Sequence, residues 1–404
     1  MNEAAENQNA QPPTKRKRRF SVRIFSTILF AAVVIAALLV VNSIGGGLSV
    51  QSLKRTWTIV TGGASDTEYF FEDGFDAVFA DLGGAIVAAG GSGTAVYDDT
   101  GRELARDLLA MRNPAVATGA GIAVVYDVGG RGIRVINETG VVASLTFEND
   151  IISCSVGSSS GFFAGGTWFA VCTEGADNYR GQVEIYKLAG SGPELIYRWF
   201  SGEGYILSAE IAPGNKGFAM LTLSQRGGRI VLLRPDSVEP QGEYVHEGAA
   251  IIEIGYINAE TLVARTADGL LTVNAAGAAS ELYSFGGRTV AGYCDDGEAL
   301  VVYFKNPVSG AAAAEATAGE LVVIGKRGEE LGRMNTSRSF VWLSAYADKI
   351  AALWDDGLII YDRSLRLIAS YPEASGMLQG YSRGAGRAVV FGNREGRAFS
   401  GKTE

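Results

Sequence analysis

Three adjacent pairs of aspartates are the side chains of this chain best suited to acid–base chemistry: Asp98-Asp99, Asp295-Asp296 and Asp355-Asp356. Two carboxylates that face each other across a sugar can hydrolyse a glycosidic bond. Each pair here lies in a short polar stretch beside a hydrophobic run, where Asp is favoured because its side chain hydrogen-bonds to the backbone of a turn. We therefore predict that these pairs shape turns.

Other catalytic and metal-binding arrangements are largely excluded by residue counts. His246 is the single histidine, so a Ser-His-Asp or Cys-His centre is not expected. Cys154, Cys172 and Cys294 lack the spacing of a zinc site and are predicted to be small buried apolar side chains, with a Cys154–Cys172 disulfide as the alternative. The acidic cluster at 72–76 lacks the alternating oxygen ligands of a calcium loop. We predict no catalytic residue, no metal and no cofactor.

The elements that must position any site are marked by eight glycines, each followed at once by a run rich in β-branched and aromatic residues. These are Gly93, Gly132, Gly181, Gly228, Gly269, Gly319, Gly357 and Gly396. Their spacings are 39, 49, 47, 41, 50, 38 and 39 residues, which is typical of a four-stranded antiparallel unit repeated around a β-propeller. We predict an all-β, eight-bladed β-propeller, with seven blades as the alternative, and place each glycine at positive φ in a hairpin turn.

Closure of the ring is predicted to use a strand from the beginning of the chain. Seven units are complete, but the eighth, at 377–400, supplies only three strands. Spare β-rich segments lie at 56–60 and 67–71. Pairing one of them with the eighth unit would remove the sheet edges that an open array exposes.

The first unit, Val87–Leu104, resembles the repeat of quinoprotein-like propellers (PQQ-like repeat), a superfamily usually built from eight blades. The shared order is a strand, a glycine turn, a second strand and a turn containing Asp and Thr-Gly. The resemblance implies an architecture only, because the adjacent cysteine pair and the cofactor and calcium ligands of the quinoprotein enzymes have no counterpart here. The whole layout is similar to an uncharacterised family (a domain of unknown function) of membrane-anchored propellers in Gram-positive, Clostridia-like bacteria.

A membrane anchor is predicted before the propeller. Residues 24–44 carry no charge, and at about 1.5 Å per residue they would cross the roughly 30 Å of a bilayer core. Basic residues precede this span: Lys15, Arg16, Lys17, Arg18, Arg19 and Arg23. Their positive charge predicts a cytoplasmic N-terminus. A cleaved signal peptide is the alternative. The predicted order is a disordered basic cytoplasmic tail (1–23), a transmembrane helix (24–44), a linker (45–55) and an extracytoplasmic propeller (56–404).

The charge distribution supports this division. Residues 1–55 hold eight basic and two acidic residues, whereas the rest of the chain holds 27 basic and 42 acidic residues, a net charge of −15. An acidic domain of this kind is not a nucleic-acid binder. The basic run is predicted to contact anionic lipid head groups.

Insertions interrupt the repeat in two units. The third unit has a long first connection (157–166) and a long second turn (174–181), and the sixth has an insertion at 306–319. Second turns all project from one face, and loops on rigid scaffolds collect binding residues. The alternative is that insertions at hairpin tips are tolerated without any function. The candidate partner-binding residues are Asp177, Asn178, Tyr179 and Arg180.

We predict a non-catalytic binding or scaffolding module for a protein or glycan at the cell surface, held to the cell membrane by one helix. The alternative is a carboxylate-dependent carbohydrate-active enzyme with its site in the central channel. A sensor is disfavoured because the short cytoplasmic tail is too small for a folded output domain. A deep channel with convergent Asp, Glu and Arg would favour the enzyme, and a filled or featureless channel the scaffold.

Overall fold

The computed structural model describes the backbone of 67–70, and residues 77–82, 85–98, 101–158, 166–190, 192–306, 319–384 and 386–401. Within these ranges the chain forms eight four-stranded sheets, the blades of a propeller. In the first seven blades, numbered in chain order, the strands lie side by side in sequence order. The predicted all-β, eight-bladed propeller is confirmed, and the seven-bladed alternative is wrong.

The first strand, β1 (Thr67–Phe70), belongs to the last blade. Blade 1 contains β2 (Val78–Asp81), β3 (Ala85–Gly90), β4 (Gly93–Asp98) and β5 (Glu103–Asp107). Blade 2 contains β6 (Pro114–Gly119), β7 (Ile122–Asp127), β8 (Gly132–Asn137) and β9 (Gly140–Thr146). Blade 3 contains β10 (Ile151–Val156), β11 (Thr167–Glu174), β12 (Gly181–Ala189) and β13 (Gly192–Ser201). Blade 4 contains β14 (Tyr205–Ile211), β15 (Phe218–Ser224), β16 (Gly227–Leu233) and β17 (Gly242–Glu247).

Blade 5 contains β18 (Glu253–Tyr256), β19 (Thr261–Arg265), β20 (Gly269–Asn274) and β21 (Ala279–Ser284). Blade 6 contains β22 (Thr289–Asp295), β23 (Ala299–Lys305), β24 (Gly319–Gly325) and β25 (Glu330–Thr336). Blade 7 contains β26 (Phe340–Tyr346), β27 (Lys349–Trp354), β28 (Gly357–Asp362) and β29 (Leu367–Tyr371). Blade 8 contains β30 (Gln379–Ser382), β31 (Ala388–Phe391), β32 (Glu395–Phe399) and β1. Two short 3₁₀ helices, Pro213–Asn215 and Pro372–Ala374, lie in connections.

The first strand of each blade is the innermost, and neighbouring first strands touch. The Ser153 hydroxyl on β10 donates a hydrogen bond to the Leu207 carbonyl oxygen on β14 at 2.9 Å. The second and third strands carry the apolar core between blades, so that every residue of β3 is buried. The fourth strands face solvent, as the exposed first half of β21 shows. Side chains that line the propeller axis therefore come from the first strands.

The ring closes as predicted, with the outer strand of blade 8 supplied by the beginning of the chain. β1 pairs antiparallel with β32, placing Thr67 opposite Ala398 and Phe70 opposite Glu395. The other candidate segment, 56–60, lies outside the described residues. This pairing covers the edge of β32, which could otherwise pair with another chain.

Side chains reinforce the seam between blades 8 and 1. The Arg383 guanidinium forms two hydrogen bonds of 2.7 Å to the Asp81 carboxylate, and the two side chains are only 10% and 8% exposed. The Tyr381 hydroxyl donates to the Phe79 carbonyl oxygen at 3.0 Å. Phe79 also stacks on Phe391 with ring centroids 4.6 Å apart. The closure is therefore both a backbone and a side-chain contact.

The eight glycines whose spacing predicted the blades serve two different purposes. Gly93 and Gly357 have φ values of 149° and 139°, the left-handed region expected for hairpin turns. The other six glycines do not have positive φ, so that part of the prediction is wrong for Gly132, Gly181, Gly228, Gly269, Gly319 and Gly396. A Cβ at Gly181 would instead lie 2.8 Å from the Ile206 side chain of the next blade. Glycine is required there because two blades approach closely.

Several predicted features lie outside the described residues. These are the segments 1–23, 24–44 and 45–55, the cluster at 72–76, and most of the insertions at 157–166 and 306–319. The described residues form no helix that is both long and apolar enough to cross a membrane.

The three cysteines are free thiols, so the alternative Cys154–Cys172 disulfide is not formed. Cys154 on β10 packs against the core between blades 2 and 3, whereas Cys172 on the adjacent β11 lies in the core between blades 3 and 4. Burial raises the pKa of the Cys172 thiol to about 12. The prediction of apolar packing describes buried Cys172 best, because Cys154 and Cys294 are only half-buried.

Candidate partner-binding site

Blade 3 departs from the other blades in the size of its outer half. Its third and fourth strands are nine and ten residues long, whereas the fourth strands of blades 1 and 2 have five and seven. The predicted loop joins β11 to β12, and all four of its candidate residues, Asp177 to Arg180, are exposed. The loop turns at Asp177, which adopts φ of 58°. This loop lies on the face of the propeller that carries the second turns of all blades.

Two of the four predicted residues join an exposed aromatic cluster. The Tyr179 ring lies 4.8 Å from the Phe200 ring at the end of β13. The Arg180 guanidinium lies 5.7 Å above the Tyr205 ring at the start of β14. The exposed fractions of Tyr179, Phe200 and Tyr205 are 47%, 39% and 59%. We call these four residues, Tyr179, Arg180, Phe200 and Tyr205, the aromatic rim.

Hydrogen bonds made by the backbone and by the Ser201 side chain hold the aromatic rim in place. The Arg180 N–H donates to the Ser201 carbonyl oxygen at 2.7 Å, and the Tyr179 N–H donates to the Ala176 carbonyl oxygen at 3.1 Å. The buried Ser201 hydroxyl donates to the Gly204 carbonyl oxygen at 2.7 Å, which fixes the connection leading to Tyr205. A surface ordered before binding loses less conformational entropy when a partner docks.

The sequence interpretation identified half of this cluster. It included Tyr179 and Arg180 but missed Phe200 and Tyr205, which flank the connection between blades 3 and 4. Connections between blades and second turns share one face of a propeller, so aromatic residues flanking that connection were the available signal. Asp177 and Asn178 lie at the loop tip and are not part of the aromatic rim.

The central channel is the second place where functional side chains converge. Glu210, Glu253 and Asp295 lie on the first strands of blades 4, 5 and 6. The charges of Glu253 and Asp295 both act on the Glu210 carboxylate. Blade 5 lies between Glu210 and Asp295 around the ring, and the Glu210 charge also acts on the Cys172 thiol of β11. The Arg265 guanidinium donates to the Glu253 carboxylate at 2.9 Å.

Glu210 retains some solvent contact, yet protein atoms surround it closely. Burial first, then the charges of Glu253 and Asp295, raises its pKa to about 8. Burial is likewise the main cause of the raised pKa of Asp295. The channel therefore disfavours the ionised form of both carboxyl groups.

The aspartate pairs behave partly as predicted. Asp296 accepts hydrogen bonds from the Glu298 and Ala299 N–H groups at 2.9 and 2.8 Å, as a turn-shaping residue should. Its neighbour Asp295 also accepts a turn hydrogen bond, from the Gly297 N–H at 3.0 Å, but it additionally contributes charge to the channel. The prediction that the Asp295-Asp296 pair only shapes a turn was therefore incomplete. His246 lies on the outer strand β17, as predicted.

We expect the folding stability of this protein to depend on pH because of Glu210. The folded-state pKa of about 8 lies above the ordinary value of 4.5, so the folded chain holds this proton more tightly than the unfolded chain. Stability should then fall as pH rises from about 5 to 8. Glu210→Gln should flatten this part of the profile and raise the melting temperature at pH 8, measured by thermal unfolding. The exposed Glu281→Gln is the matched control, and identical profiles for wild type and Glu210→Gln would contradict the assignment.

A family of unknown function, DUF5711, matches residues 64–371. The chain belongs to this family. The DUF5711 match runs from just before β1 to the last residue of β29, so it covers seven complete blades. No curated protein matches the chain in sequence.

The solved structures that resemble this DUF5711 protein show its fold. Saccharomyces cerevisiae Sqt1 is 11% identical with a TM-score of 0.59, and the match covers 83% of this chain and 99% of Sqt1. A crystal structure of the eukaryotic initiation factor is 12% identical with a TM-score of 0.52, and the match covers 81% of this chain and 89% of that one. The prediction of an eight-bladed propeller from a family of unknown function is therefore confirmed. The quinoprotein-like repeat and the Clostridia-like origin stay predictions.

Proposed function

We propose that this propeller is a non-catalytic binding or scaffolding module whose partner docks on the aromatic rim. The observation that carries the proposal is the exposure of three neighbouring rings, Tyr179, Phe200 and Tyr205, beside an arginine. Tyrosine and arginine are among the residue types that most often dominate the binding energy of interfaces. Exposed aromatic residues held by a rigid scaffold are therefore better explained by a partner than by folding.

The partner that best fits the aromatic rim is a protein. Arg180 supplies hydrogen-bond donors beside flat apolar rings, and this combination suits the mixed polar and apolar surface of a polypeptide. A glycan stacked on the rings is the other class that the sequence interpretation named, and the same experiment distinguishes it.

Changing Tyr179 and Arg180 together to alanine should leave folding intact and weaken partner recovery. Loss of two such anchors costs about 2 kcal/mol or more, which is roughly a thirtyfold loss of affinity. Crosslinking in native membranes followed by mass spectrometry measures the recovery and identifies protein or glycan. Tyr346→Ala is the matched control, because Tyr346 is 60% exposed at the opposite end of a first strand. Unchanged recovery in the double variant would reject the rim as the binding site.

The location proposed for this module is the outer surface of the cell membrane. Support comes from the uncharged segment 24–44 and the basic residues before it. Protease added to intact protoplasts should digest a C-terminal tag and spare an N-terminal tag. The reverse pattern would show that the propeller lies in the cytoplasm.

The carboxylate-dependent enzyme is the second candidate, and the channel carboxyl groups are the observation that favours it. A carboxyl group whose pKa is raised, as at Glu210, is a suitable general acid. Hydrolysis of a cell-wall polysaccharide by the purified protein, abolished by Glu210→Gln, would support this candidate and overturn the non-catalytic proposal.

A further inference from the structure

A small pocket lies at the seam between blades 8 and 1 and has a volume of about 100 Å³. Both blades contribute to its walls. Ala77 and Phe79 line it from the blade 1 side. The side chains that line it from the blade 8 side are Leu378, Gln379, Phe391 and Asn393. None of these residues belongs to the aromatic rim or to the channel carboxyl groups, so the pocket is a third place where a molecule can bind.

The pocket opens on the face of the propeller that carries the aromatic rim. Asn393 lies in the second turn of blade 8, and Leu378 immediately precedes the first strand of that blade, β30. Both side chains are exposed, Leu378 by 49%, so they form the mouth of the pocket. The aromatic rim lies between blades 3 and 4, which is halfway around a ring of eight blades. The pocket and the rim are therefore separate sites.

The Gln379 side chain gives this pocket an unpaired hydrogen-bond acceptor. Its oxygen Oε1 is buried and accepts no hydrogen bond from the described residues. Buried polar atoms nearly always have a partner, and an unpaired one costs free energy. The Nε1 atoms of Trp168 and Trp342 are also buried without a partner in the described part of the chain, but these side chains do not line the pocket. Gln379 combines an unpaired acceptor with a place on a pocket wall.

The aromatic walls of the pocket are held in place before any ligand binds. Phe79 and Phe391 stack with their ring centroids 4.6 Å apart and an angle of 8° between their planes. They are 4% and 0% exposed. The Leu378 N–H donates a hydrogen bond to the Phe391 carbonyl oxygen at 2.8 Å. A site that is already ordered loses less conformational entropy when a ligand binds.

Water alone is a poor match for these walls. A buried water molecule typically makes about three hydrogen bonds to the protein. Gln379 and Asn393 are the polar side chains among the lining residues, and the other lining side chains are apolar. An apolar cavity of about 150 Å³ holds a benzene molecule. A pocket of about 100 Å³ with an open mouth therefore suits one six-membered ring that extends partly into the mouth.

We propose that the seam pocket binds a phenol, with its hydroxyl group donating a hydrogen bond to Gln379 Oε1 and its ring lying against Phe79 and Phe391. A phenol combines the two features that the walls require, which are one apolar ring and one hydrogen-bond donor. An ammonium group would bring a positive charge that no carboxylate among the lining residues compensates. The phenol is either a free small molecule or the side chain of a tyrosine in a partner protein.

The test is an NMR titration of the purified full-length chain with 4-methylphenol and with toluene, which has the same ring and methyl group but no donor. We expect wild type to bind 4-methylphenol about tenfold more tightly than toluene, because the hydroxyl group satisfies a buried acceptor. N-acetyltyrosinamide presents the same phenol on a peptide backbone. Its binding would identify a tyrosine of a partner as the source, whereas binding of 4-methylphenol alone would identify a free phenol.

Three variants separate the hydrogen bond from the pocket itself. Gln379→Met should weaken the binding of 4-methylphenol about tenfold and leave that of toluene unchanged. This variant should fold, because the oxygen that it removes accepts no hydrogen bond from the described residues. The exposed Gln225→Met is the matched control and should change neither affinity. Ala77→Leu places a larger side chain in the pocket and should abolish the binding of both compounds.

The proposal is overturned if wild type does not bind 4-methylphenol, or binds it no more tightly than toluene. Equal affinity of wild type and Gln379→Met for 4-methylphenol would also overturn it. Unchanged binding of both compounds to Ala77→Leu would show that they bind elsewhere on the protein. If Ala77→Leu does not fold, the comparison of wild type with Gln379→Met for the two compounds carries the test.

Discussion

A chain that starts at residue 76 should be markedly less stable than one that starts at residue 56. The shorter chain lacks β1, whose four residues pair with β32. At about 1 kcal/mol for each backbone hydrogen bond, the loss is on the order of 4 kcal/mol. The freed edge of β32 should also promote association. Chemical unfolding measures the stability, and size-exclusion chromatography measures the association.

The two truncated chains control for each other, because both lack the N-terminal segment and differ only in 56–75. Equal stability and a monomeric state for both chains would contradict the role of β1 in closure. A loss of stability without association would support closure but show that the β32 edge is protected in another way.

Breaking the Arg383–Asp81 contact should have a comparably large effect. Both side chains are at most 10% exposed, so Arg383→Met leaves the Asp81 carboxylate buried without its guanidinium. Removing one partner of a buried ion pair typically costs about 3–5 kcal/mol. The double variant Arg383→Met, Asp81→Leu should cost less, because it leaves no buried charge. Chemical unfolding of wild type, Arg383→Met, Asp81→Leu and the double variant forms a double-mutant cycle that measures the interaction energy of the pair.

An exposed pair provides the comparison. Arg226 and Glu247 form an ion pair at 2.6 Å, and their side chains are 67% and 64% exposed. Arg226→Met should cost less than about 1 kcal/mol, because solvent already screens that pair. Equal losses of unfolding free energy for Arg226→Met and Arg383→Met would contradict this prediction. They would show that burial does not make the Arg383–Asp81 ion pair more costly to break.

The architecture was predictable from local sequence, because each blade is built from hairpins between neighbouring runs. The glycine spacing identified all eight blades, and the missing strand in the eighth unit predicted the pairing of β1 with β32. The purpose of individual glycines was less predictable. Gly181 is required by the nearby Ile206 side chain of the next blade, and a contact between blades is not visible in one hairpin.

The candidate sites were only partly predictable for the same reason. Tyr179 and Arg180 stood out because the loop carrying them interrupts the repeat, whereas Phe200 and Tyr205 belong to regular strands and become notable only beside that loop. Glu210 and Asp295 lie 85 positions apart in the chain. Their interaction depends on how the first strands curve around the axis, which no local pattern records.

Ring closure also sets the order in which this chain can fold. The pairings within blades 1–7 join residues close in sequence and can form as soon as each unit is synthesised. The β1–β32 pairing joins Thr67 to Ala398, so β1 must wait until β32 has been synthesised. We expect closure to be the latest step of folding, which pulsed hydrogen exchange on β1 and β32 would detect. Until β1 pairs with β32, the propeller is an open ring with unpaired strand edges at both ends. These edges can associate with other chains throughout translation.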